Sequence, residues 1–145
     1  MCFLLYAGTV KPLPRGTWSK DAREVHVVDL NQKELAIAKH FSAPEVQYIG
    51  STSGCGCDFP HLMFQNGGWP YFEGGDTDPE RETSDQLNLE RLTELLKSTG
   101  EGAIELYGVW SADFSEPKSR EEIDVSDLLK SGFHFKEQGF YTVKL

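Results

Sequence analysis

One stretch of this chain carries a complete helical signature, and it constrains the rest. Asp78-Pro79-Glu80 supplies a cap, a first-turn proline and early acids. Gly100 supplies a stop just beyond Ser98. Between them Leu89, Leu92 and Leu96 fall on one stripe, with Leu95 beside it. A helix with one apolar stripe must bury that stripe against another layer. The other apolar runs are short and often β-branched or aromatic, which points to a sheet as that layer.

The runs are Phe3 to Ala7, Glu24 to Leu30, Val46 to Ile49 and Ala103 to Trp110. Phe133 to Lys136 and Phe140 to Val143 alternate at period 2 around a turn ending in Gly139, and read as a terminal hairpin. Asn31 caps a second helix with Glu34 as its capping-box partner, running to about Phe41 before Pro44 ends it. Ser126 caps a short helical turn through Lys130, and Ser111 to Glu122 reads as an acidic loop. Leu62-Met63-Phe64 is a short strand or turn inside a long irregular stretch, residues 50–77. The expected fold is therefore α/β, with α+β as the alternative. It has a mixed sheet of about five or six strands, two main helices and a C-terminal β-hairpin. Because each helix joins strands, some parallel pairing is expected.

The chain has 145 residues. Surface scaling gives about 7,500 Å² folded against about 23,600 Å² unfolded, enough for one globular domain over residues 1–145. Net charge is −9, from 14 Lys+Arg and 23 Asp+Glu. Nucleic acid and anionic membrane would be repelled, and neither is expected as a partner. The excess is uneven: residues 1–75 carry a net of −1 and residues 76–145 a net of −8. The run Glu116 to Asp127 reads as a solvated face or a patch for a basic protein partner. A homodimer through a sheet edge or the aromatic loop, Phe59 to Phe72, is the other partner expectation. Three cysteines, with no basic leader before the first apolar run, fit a reducing cytoplasm.

Cys55-Gly56-Cys57 is the most chemically loaded point. Gly56 lets two thiols approach, and His61 follows four residues later. Cys55, Cys57 and His61 together offer soft and borderline donors suited to zinc or copper(I). A fourth donor would have to come from Cys2, His26 or His40. The same pair also fits a strained, redox-active disulfide or a lowered-pKa thiol enzyme. A plain small-residue turn, with the cysteines as compact hydrophobes, accounts for it more simply. Trp69 in the aromatic loop, and Trp110 and Asp113 at a strand end, are candidate ligand contacts. Cys2 would become an N-terminal nucleophile if Met1 were removed, but a buried strand cysteine accounts for it better. His26 and His134 read as sheet-face histidines, and His40 as a helix C-terminal cation.

The segments Met1-Cys2-x-Leu-Leu-Tyr-x-Gly-Thr, Tyr48-Ile-Gly-Ser into Gly54-Cys55-Gly56-Cys57, and Glu105-Leu-Tyr-Gly-x-Trp110 resemble a family of small, uncharacterised bacterial proteins. Phe133-x-Phe135-Lys-Glu fits the same pattern. The resemblance implies a bacterial, cytoplasmic protein and assigns no activity.

Overall fold

The computed structural model describes residues 3–16, 18–21, 23–52, 54–56, 59–64, 70–72, 79–98, 102–110, 114–130 and 132–145. Its strands are β1 (Phe3–Thr9), β2 (His26–Asp29), β3 (Glu45–Gly50), β4 (His61–Phe64), β5 (Pro70–Phe72), β6 (Ile104–Trp110), β7 (Ser119–Asp124), β8 (Phe135–Lys136) and β9 (Gly139–Lys144). Helix α1 spans Pro79–Lys97, and 3-10 helices span Glu34–His40 and Val125–Leu129. Six strands form a mixed sheet in the order β2-β3-β1-β6-β9-β7. A small second sheet has the order β5-β4-β8. Among the described residues no helix is long and apolar enough to cross a membrane.

β1 is central because it is apolar on both faces, so both must be covered. Phe3, Leu5 and Ala7 share one face with Ile49, Leu106 and Val143, and α1 lays Leu89, Leu92 and Leu96 on them. Tyr6 belongs to the other face, with Tyr107, Val109 and Phe140. Ile37 and Phe41, from the first 3-10 helix and its end, close that face. The capping box is present: Asn31 Oδ1 accepts from the Glu34 amide at 2.9 Å, and Glu34 Oε1 accepts from the Asn31 amide at 3.2 Å. The helix it opens is 3-10 rather than α. The connection covers the second face and returns into an antiparallel neighbour, since β2 and β3 pair antiparallel.

Parallel pairing does occur, but not across the helices where it was expected. It joins β7 to β9 and β4 to β8. β7 begins inside the stretch read as acidic loop, Ser111 to Glu122, and runs two residues beyond it. It is an edge strand with half-buried and exposed residues alternating, so it shows little apolar signal. Its charges are matched locally. Lys136 Nζ meets Glu121 at 2.9 Å, Lys144 Nζ meets Glu122 at 3.5 Å, and the Arg120 guanidinium sits 4.6 Å from the Phe140 ring centroid. Lys130 likewise pairs with Asp127. Several acids of the run 116–127 thus already have cationic neighbours within the chain. The short helix is capped two residues earlier than Ser126, by Asp124, whose amide donates to Asp127 Oδ2 at 2.9 Å.

The two C-terminal strands are joined by a tight turn in which Gln138 has φ +53°. They diverge into different sheets: β8 pairs with β4, and β9 with β6 and β7. The buried ring of Phe135, packed among Phe3, Phe59 and Tyr141, holds β8 on the first face of the core. The long stretch after β3 is therefore not all loop, since β4 and β5 form the rest of this second sheet.

Leu92 is fully buried on the helix stripe. Leu92→Ala should lower unfolding free energy by about 2–5 kcal/mol in a urea titration. Alkaline pH should also destabilise the fold. Burial pushes the Tyr141 hydroxyl up to about 12. Burial and the Glu34 carboxylate push Tyr6 far above the ordinary tyrosine value. The unfolded tyrosines ionise near pH 10, before the folded ones do. Stability is then whole below about pH 10 and falls as pH rises towards 12. Urea midpoints at pH 9 and 11 should show this loss, and Tyr141→Phe should make the pH-dependent part smaller.

Candidate functional site

The Gly/Cys segment leaves β3 at Gly50, where the His26 ring packs so closely that a Cβ would stand 2.3 Å from its Nε2. A turn follows immediately. The Ser51 amide donates to the Cys55 carbonyl at 2.6 Å, joined by the Ser51 hydroxyl, and the Gly54 amide donates to Ser51 O at 3.0 Å. Gly54 has φ +96°, a conformation that excludes most side chains.

Three separate elements hold this turn. From α1, Asn88 Oδ1 accepts from the Thr52 amide at 2.9 Å, and its Nδ2 donates to Thr52 Oγ1 at 3.1 Å and Ser84 O at 2.8 Å. From the segment before β2, Trp18 Nε1 donates to Thr52 O at 2.9 Å, and its ring lies over Gly54. From β3, the Tyr48 hydroxyl donates to Gly54 O at 3.4 Å. Asn88 is fully buried. Its bonds meet the requirement that a buried amide be satisfied, and they set where the turn sits.

Beyond the turn, Gly56 lies against the start of β1. A Cβ on Gly56 would stand 2.4 Å from the Phe3 carbonyl oxygen, so only glycine allows this approach. The Phe59 amide then donates to Gly56 O at 3.0 Å, and Pro60 O accepts from the Phe135 amide at 2.8 Å as β4 begins.

His61 opens β4 and is buried. Its ring stacks on Phe3 with centroids 4.5 Å apart and planes parallel to 1°. Trp110, register partner of Phe3, meets both rings edge-on, at 6.5 Å from Phe3 and 5.7 Å from His61. Nδ1 of His61 lies 2.7 Å from Phe59 O. A carbonyl can only accept, so Nδ1 carries the proton, and in the neutral ring Nε2 is the basic nitrogen. Metal-binding histidines show this same arrangement.

Of the residues singled out in the sequence, Cys55, His61 and Trp110 can be placed. Cys55 is a half-buried cysteine on the clamped turn. Trp110 is buried and contributes a wall of the Phe3–His61 box. Cys2, Cys57, Trp69 and Asp113 lie outside the described residues. His26 Nδ1 donates to Glu24 O at 2.9 Å and His134 Nδ1 to Gly132 O at 2.8 Å, the same local bond that His61 makes, so what marks His61 out is its stack on Phe3 beside Trp110. His40 stacks on Tyr107 on the second face, with Nε2 2.9 Å from Phe114 O. Among the described residues no group of three or more His, Cys, Asp or Glu stands close enough to hold a metal.

Asn88 and Trp18 were missed in the sequence. Asn88 was detectable as a polar residue beside the buried Leu89 in the helix stripe. Trp18 lies in a Pro/Gly-rich segment with no periodicity to mark its inward role. Comparison with known proteins adds no relative: no family model, curated protein or solved structure matches the chain.

Asn88→Ala should cost about 1–3 kcal/mol, because it leaves buried partners of the turn unpaired. It should also speed alkylation of Cys55, read residue by residue in mass spectrometry. An unchanged rate would show that Asn88 does not hold the turn closed.

Proposed function

We propose that the chain is a small binding module whose Gly/Cys-rich loop, residues 50–72, holds a soft metal ion, zinc or copper(I). Cys55, Cys57 and Nε2 of His61 are the donors. The observation that carries this reading is the placement of His61: a buried ring stacked on Phe3 and walled by Trp110, with its Nδ1 bonded to Phe59 O. That bond fixes the orientation and tautomer a metal ligand needs. The clamped turn supports the reading further. The turn that carries Cys55 is anchored by Asn88, Trp18 and Tyr48, and a site needs its donors held by a rigid shell.

Protein purified without a histidine tag should carry close to one equivalent of zinc or copper by elemental analysis. The Cys55→Ser/Cys57→Ser double variant should carry almost none. Equal, negligible metal in both proteins, before and after incubation with zinc or with copper(I), would remove the reading.

A further inference from the structure

We draw no further inference here: the strongest candidate, the groove on the exposed face of α1 lined by Thr83, Gln86, Leu87 and Glu90, carries none because nothing in the structure shows what covers it.

Discussion

The Phe3 ring is the contact on which most of this structure depends. It lies across Gly108 on the neighbouring strand, where any Cβ would stand 2.4 Å from the ring. One face meets His61, an edge contact is made with Trp110, and Phe135 packs alongside. Through these neighbours one side chain joins the large sheet, the small sheet and the strand that opens the candidate site. Its own carbonyl then receives the Gly56 backbone. Core packing and site geometry are therefore one arrangement. A change to the ring would reach His61 directly, because a stacked pair with parallel planes has little freedom to adjust separately.

Around this point the sheet is closed on both faces by different means. α1 covers the first face with a leucine stripe, as a helix on a sheet usually does. The second face is covered by a short 3-10 helix and its exit, through Ile37 and Phe41. Glu34 ties this cover down, since its carboxylate caps the helix start and accepts the Tyr6 hydroxyl at 2.7 Å. Glu105 does similar work at the exit, where it accepts from the Ser42 and Ala43 amides at 3.0 and 2.7 Å. Two half-exposed carboxylates thus fix the ends of the cover by bonding main-chain amides.

The parts of the fold carried by local patterns were legible in the sequence. The α1 boundaries followed from Pro79 and Gly100, and β1, β3 and β6 from their apolar runs. The Asn31–Glu34 capping box could be identified from spacing alone. Pairing was less legible, because it depends on residues far apart. Alternation at 133–143 correctly signals two strands, yet the burial of Phe135 sends the first of them to another sheet. β7 was hidden because an edge strand with four charged residues in six shows no hydrophobic period. At the site, cysteine spacing pointed to the loop and to His61. Nothing local could show that Phe3 would stack on that histidine or that Gly56 would touch β1. Those contacts arise from tertiary packing, where period and propensity carry no information.

The charged edge at β7 also bears on how copies of this chain meet. An open edge strand normally invites a second strand, and an identical copy is the most abundant one available. A two-fold axis at Glu121 would set that residue against its own copy, and Arg120 against Glu122 of the copy, across the new ladder. Like charges in opposed positions destabilise such a pair. The lysines that neutralise them reach in from β8 and β9 of the same molecule, so a partner strand would have to displace those contacts as well. The edge that periodicity could not detect is thus one whose charges are already engaged within the molecule.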